Sequence, residues 1–256
     1  MEANERKRKL IMVGNEAIVE AITKSKGRKS LYHFTRERNL PAIAHLDILL
    51  SSAQINPDYR GERRLKAEKV IRNGYSMMRN AHLRIPDSMM DPEITQEQFR
   101  VCLDQHVFFW PTLKDCQKMI STYKRREPEE RFSVLEFDAA SLLSSHYSTV
   151  KLSKYDSGSS PRFPARCSYK KSLNMFLPLD LFKVVLSNLV PGKASEIKEV
   201  LIEEQVLKVS SHLRSVYVEN KEDLPKRWSH LGRPLADLQD PSLYKHNDTY
   251  YNKESN

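Results

Sequence analysis

The amino-acid sequence predicts an α+β fold, a mixed β-sheet with helices around it, on three observations. Leu31 to Thr35 alternates apolar and aromatic residues with polar ones, as a strand does, and a helical stretch opened by Leu40 and Pro41 follows it. His106 to Pro111 repeats the strand-then-helix order, with Leu113, Cys116, Met119, Ile120 and Tyr123 at helical spacing behind it. Ile197 to Val206 is a third strand-like run, with the carboxylate Glu199 set among aliphatic side chains.

At 256 residues and 39% hydrophobic content, the chain can bury a core as one large domain with appendages. The expected division is a charged helical segment over 1–29, a main domain over 30–220 and a polar tail over 221–256. No run approaches the ~18 apolar residues of a membrane span, and Leu10 to Val13 is too short and too close to Glu16 for a signal peptide. A cytoplasmic protein without a membrane partner is expected. Cys102, Cys116 and Cys167 lie far apart with no Cys-x-x-Cys spacing, so neither a zinc site nor a disulfide framework is expected, and no metal.

The formal charge of +9 attracts polyanions, and the excess is patchy. Arg60 to Arg84 holds one cluster and Lys151 to Lys171 another; Arg60, Arg63, Lys66, Lys69, Lys170 and Lys171 are the candidate nucleic-acid contacts. A charge run is as readily a solvated face, and that reading stands beside the first.

Taken in order, residues 1–30 read as a charged helix with Ile18, Val19, Ala21 and Ile22 on one side. Along the first strand His33 and Thr35 share a face, a small polar platform, and Asn39 can cap the next helix. Gln54 to Arg84 has few large apolar residues and reads as a helix and loops over the core. Pro86 to Pro92 is a turn-rich break. Thr112 caps the helix after His106 to Pro111, whose Phe-Phe-Trp run reads first as core. Phe132 to Phe137 is a strand, Asp138 caps a short helix from Ala139, and Val150 begins another strand before the loop Tyr155 to Pro164. Glu199 needs a reason among apolar neighbours: either an edge charge that discourages aggregation or a chemical role. Tyr244, Tyr250 and Tyr251 in the tail offer rings on which bases could stack.

The string Leu-Tyr-His-Phe-Thr, with Asn39-Leu-Pro-Ala-Ile and Leu49-Leu-Ser after it, resembles the first NAD-binding segment of the ADP-ribosyltransferase superfamily. It is most similar to the version in DarT-like toxins and related bacterial domains of unknown function. The resemblance implies a split mixed sheet around an NAD cleft, covering roughly residues 30 to 218. It makes NAD the co-substrate, with His33, Thr35 and Asn39 in the cofactor-binding segment. A glycine normally precedes the Leu-Leu pair in that family; Asp47-Ile48 stands there here.

His106 to Pro111 resembles the second superfamily segment, in which an aromatic ring, here Phe109 or Trp110, lies by the nicotinamide. Leu152-Ser153 followed by Ser157-Gly158 is similar to a Ser-Gly pair in the related bacterial domains, which makes Ser157 a site residue. Lys-Glu-Val-Leu resembles the strand bearing the catalytic glutamate, and so assigns that role to Glu199. The pattern also implies an arginine a few tens of residues beyond the first segment. Arg60, Arg63, Arg64 and Arg72 qualify, and Arg64 is taken as the candidate.

Three functions are compatible with these features. The first is a mono-ADP-ribosyltransferase acting on nucleic acid, the toxin of a bacterial toxin–antitoxin or phage-defence system with an antitoxin or chaperone partner. The others are a protein-directed transferase and a catalytically silent module that binds nucleic acid or a partner. The basic patches favour the first.

Overall fold

A computed structural model describes residues 14–158, 163–165 and 167–239. The helix α1 spans 14–23, and Val19 and Ile22 turn inward while Glu16 and Glu20 face out. Arg6 to Lys9, and Tyr244, Tyr250 and Tyr251, lie outside the described residues. Among the described residues twelve strands follow in chain order. They are β1 (Ser30–Arg36), β2 (Ile48–Leu50), β3 (Glu68–Arg72), β4 (Tyr75–Arg79), β5 (His106–Phe109) and β6 (Phe132–Asp138), then β7 (Val150–Ser153), β8 (Phe176–Pro178), β9 (Glu199–Glu203), β10 (Gln205–Leu207), β11 (Leu213–Val218) and β12 (Gly232–Pro234). The remaining α-helices are α2 (Leu40–Leu46), α3 (Ser52–Ile55), α4 (Gln96–Asp104), α5 (Leu113–Arg126), α6 (Ala139–Ser145) and α7 (Val209–His212).

The strands form two four-stranded sheets and two small pairs. One sheet runs β1-β6-β11-β12, antiparallel except for the last pair, and the other runs β5-β9-β7-β8, antiparallel throughout. The two meet at Tyr32 and Trp110, which exchange both backbone hydrogen bonds at 2.8 and 2.9 Å. The main core, containing Leu31, Phe109, Leu135, Val200 and Trp228, packs α1, α2 and α6 on the sheets. A second, around Phe34, Trp110 and Phe132, seats α5, whose N-terminus Thr112 caps as expected. Asp138 likewise caps α6.

Three expectations need correction. The stretch 54–84 is mainly a hairpin, β3 against β4, turned by Asn73-Gly74 with both residues at positive φ (50° and 78°). Such a two-residue turn fits the right-handed twist of the strands it joins. Asn39 makes no capping bond. Its side chain instead exchanges hydrogen bonds with the backbone of Met78, accepting from its N–H at 2.8 Å and donating to its C=O at 3.0 Å, and so fastens the hairpin to β1. Residues 221–239, the described part of the polar tail, wrap onto the body: Trp228 is 1% exposed, and Leu235 and Leu238 join the second core. Finally, β9 lies between β5 and β7, so Glu199 is not an edge charge.

Asp47 adopts φ 57° and ψ 33° at the C-terminus of α2. Asp tolerates that left-handed conformation better than most residues. Its carboxylate accepts from the Ser210 N–H at 2.8 Å and from Arg227 at 3.1 Å.

Candidate active site at the seam between the sheets

Where β1 of one sheet meets β5 of the other, a cavity of about 570 Å³ opens, walled by both sheets, the hairpin and α4. That volume falls in the ordinary range for small-molecule sites. His33 and Thr35 of β1, Asn39, Arg63, Arg64, Ser157 and Glu199 all line it. Residues more than 160 positions apart in sequence are thereby brought to one wall.

The His33 Nδ1 lies 2.8 Å from the carbonyl oxygen of Phe108. A carbonyl only accepts, so Nδ1 carries the proton and Nε2 remains as an acceptor. Burial drives the His33 pKa down to about 4, against the opposing bond to Phe108, so the ring is neutral at pH 7. Thr35 accepts from the Asn39 amide at 3.3 Å.

Glu199 opens β9 opposite Ser153 and is 1% exposed. Its Oε2 accepts the Ser157 N–H at 3.0 Å. Burial pushes the Glu199 carboxyl up, and Asp156 adds to it, while the Ser157 bonds and Lys171 act in the other direction.

Arg64 is clamped rather than free. It makes a two-pronged ion pair with Asp104, Nη2 to Oδ1 at 2.6 Å and Nη1 to Oδ2 at 2.9 Å, and its Nε donates to Asn80 O at 3.1 Å. Burial alone would raise the Asp104 carboxyl; hydrogen bonds from His82 and Arg64 overcome it and hold the group well below the usual carboxylate range. The Arg64 N–H donates to His82 Nδ1 at 3.0 Å, which puts the His82 proton on Nε2, facing Asp104 Oδ1 at 3.1 Å. Arg64, His82 and Asp104 therefore staple the cavity floor. Arg63, Arg84 and Arg100 also line the cavity and form no ion pair among the described residues.

Three sequence expectations land elsewhere. Phe109 is fully buried in the main core, its ring 5.5 Å from that of His33, while its neighbours Phe108 and Trp110 line the cavity. The alternation of β5 decides this, because one register position sends a side chain to the opposite face. Lys171 is not a surface cation: it is 0% exposed and bonded to backbone carbonyls of Asp156 and Ser157. Lys170 is half-buried over the Phe163 ring at 5.2 Å. Lys151 and Lys154 lie 3.8 and 3.6 Å from Glu203 and Glu196, so the second basic patch is largely internal or paired. Arg60, Arg63, Lys66 and Lys69 are exposed as expected.

Sequence reasoning missed Arg100 and His106 in the cavity wall. Arg100 sits on α4, a helix whose Thr95-x-x-Gln98 capping box was readable in advance. His106 donates from Nδ1 to Cys102 O at 2.6 Å and leaves Nε2 without a partner among the described residues. Among those residues no cluster of His, Cys, Asp and Glu is arranged to hold a metal, and no helix is long and apolar enough to cross a membrane.

These features define a mixed α+β domain with one polar, cation-lined cavity at the junction of two sheets. The chain belongs to the DUF7002 family, a family of unknown function, whose profile matches residues 29–213. No curated protein matches it. Among solved structures it is similar to Thermosipho africanus DarTG in complex with ADP-ribose, at 11% identity and TM-score 0.38, over 82% of this chain and 50% of that one. It is also similar to Thermus sp. 2.9 DarT in complex with NAD+, at 15% identity and TM-score 0.36, over 81% of this chain and 93% of that one. The same protein in complex with ADP-ribosylated ssDNA gives 14%, TM-score 0.35, and 81% and 92%. The chain spans half the length of the DarTG chain it matches.

Proposed function

We propose that the chain is an NAD-dependent mono-ADP-ribosyltransferase that modifies bases of RNA or single-stranded DNA, as the toxin of a bacterial toxin–antitoxin or phage-defence system. On this reading residues 30–220 form a catalytic domain built as a split sheet around an NAD cleft, active in the cytoplasm and restrained by an antitoxin or chaperone. The observation that supports it is the meeting of His33, Thr35 and Glu199 in one cavity, since these three carry the resemblance to the family and are remote in sequence.

NAD brings a good leaving group, so the protein's work is orientation and charge stabilisation. The C1′–N bond breaks, its electron pair leaves with nicotinamide, and an acceptor oxygen or nitrogen forms the new bond to C1′. His33 Nε2 and Thr35 Oγ1 offer acceptors for cofactor hydroxyls or the carboxamide. Glu199, which lines the cavity with Oε2 held by the Ser157 N–H, stabilises the cationic ribose and takes the acceptor's proton. Arg63, Arg84 and Arg100 offer free charge for the pyrophosphate, while Arg64, engaged by Asp104, presents a fixed field.

Incubation with labelled NAD and separate pools of RNA, DNA and cell protein tests the reading. Label in a nucleic-acid pool is expected. Label in none of them, with no nicotinamide released, overturns it. Label in protein alone would establish a protein-directed transferase, a reading favoured by the pairing of Lys151 and Lys154 and the burial of Lys171.

A further inference from the structure

Lys171 has no place in the chemistry above, yet it is a lysine with no exposed surface, and charged side chains reach that state only when something holds them. Its backbone is pinned in a parallel bridge beside Met90, donating to Met89 O at 2.6 Å and accepting from Asp91 N–H at 2.9 Å. The ammonium donates to the carbonyl of Asp156, and to that of Ser157 at 2.9 Å. The Asp156 carbonyl and the Ser157 N–H are two ends of a single peptide group. The other end of that group donates to Glu199 Oε2 at 3.0 Å.

A cation on the oxygen of an amide draws electron density from its nitrogen and strengthens the N–H as a donor, so hydrogen bonds in such a chain reinforce one another. We propose that Lys171 is the positioning residue for Glu199: acting through the Asp156–Ser157 peptide, it fixes Oε2 and so aims Oε1 into the cavity. This rests on the reading of Glu199 as the reacting carboxylate. The effect of charge runs the same way. Burial lowers the Lys171 pKa and raises that of Glu199, and each group opposes the other's shift. The other titratable groups facing the pair are Asp156, which acts on both, and Cys167, which acts on Lys171.

The test is NMR on the whole chain, labelled at the Glu side-chain carboxyl carbons and backbone amides, with Glu199→Gln to assign the Glu199 signal. In the wild type the Ser157 amide proton should resonate far downfield and move with the titration of Glu199. In Lys171→Met, which keeps length and removes charge, that proton should shift upfield and the Glu199 pKa should rise by about one unit. In the same variant kcat should fall about 10- to 100-fold with the KM for NAD unchanged, because a misaimed group costs rate and leaves binding alone.

A Ser157 amide indifferent to Glu199 in the wild type overturns the positioning role, and this measurement does not depend on Lys171→Met folding. So does a folded Lys171→Met protein with unaltered Glu199 titration. Transfer by Glu199→Gln at the wild-type rate would instead remove the reaction assigned to Glu199, whatever the amide does.

Discussion

Glu199 has a carboxylate oxygen tied to the Ser157 N–H and stands on a central strand beside the cavity, so its replacement by the isosteric amide separates chemistry from folding. Glu199→Gln keeps the shape and should lower transfer at least ~100-fold, with the melting temperature near that of the wild type; activity within a fewfold of wild type would take Glu199 out of the reaction. His33→Ala and Thr35→Ala should each weaken NAD binding by about 1 kcal/mol in titration calorimetry, and unchanged affinity would make both residues purely structural. His33 also gives a pH signature. Its folded pKa of about 4 lies below the ordinary 6.5, so the unfolded chain takes up a proton first as the pH falls. The stability it supports is complete above the unfolded value and is lost between 6.5 and 4, by roughly 2–3 kcal/mol at most. His82, His106, His146 and His212 are shifted the same way, so the informative quantity is the difference between wild type and His33→Asn in denaturant midpoints across that range. Identical slopes would show that His33 is not held neutral. His33, Thr35 and Glu199 were legible in the sequence because strand alternation and motif order survive in linear text. Lys171 was misread as surface because composition records its charge but not the carbonyls that surround it.

At the level of elements, the hairpin β3–β4 is the piece whose attachment is simplest to cut. Asn39 uses both ends of its amide on Met78, so Asn39→Ala leaves a backbone N–H and C=O of β4 without partners. The expected cost is about 1–3 kcal/mol, with faster amide exchange over Tyr75–Arg79; unchanged exchange there would show that the hairpin is held by other contacts. Loss of NAD affinity in this variant should accompany the loosening, because the hairpin contributes Met78 and Arg79 to the cavity wall. The hairpin announced itself in the sequence: Asn73-Gly74 is a strong two-residue turn signal. It was obscured by the charged run around it, which draws attention to electrostatics and hides the period-2 pattern. The caps Thr112 and Asp138 were readable because a cap is local, whereas Asn39, equally suited to capping, spends its side chain on a strand 39 positions away.

Across the whole molecule, the basic surface that survives is the exposed group Arg60, Arg63, Lys66 and Lys69, of which Arg63 lines the cavity. Changing all four to Glu should weaken binding of single-stranded oligonucleotides and reduce the slope of log affinity against log salt by up to ~3, at about 0.7 per phosphate contact. An unchanged slope would argue that nucleic acid does not cross this face. The class of fold could be read from strand and helix periods, but the junction of two sheets at Tyr32 and Trp110 could not, because pairing partners are set by packing across long stretches of chain. Leu31 pairs with Phe137, Leu49 with Val206, and Phe108 with Leu201. The strand β9 enters its sheet between β5 and β7, two strands made long before it. During synthesis, therefore, the early strands wait beside an open slot, and a later segment brings both the strand that fills it and the carboxylate of Glu199 that lines the cavity. A nascent chain has neither the filled sheet nor Glu199 until β9 has emerged from the ribosome, so on the proposed reading the order of translation keeps a chain without β9 from consuming NAD.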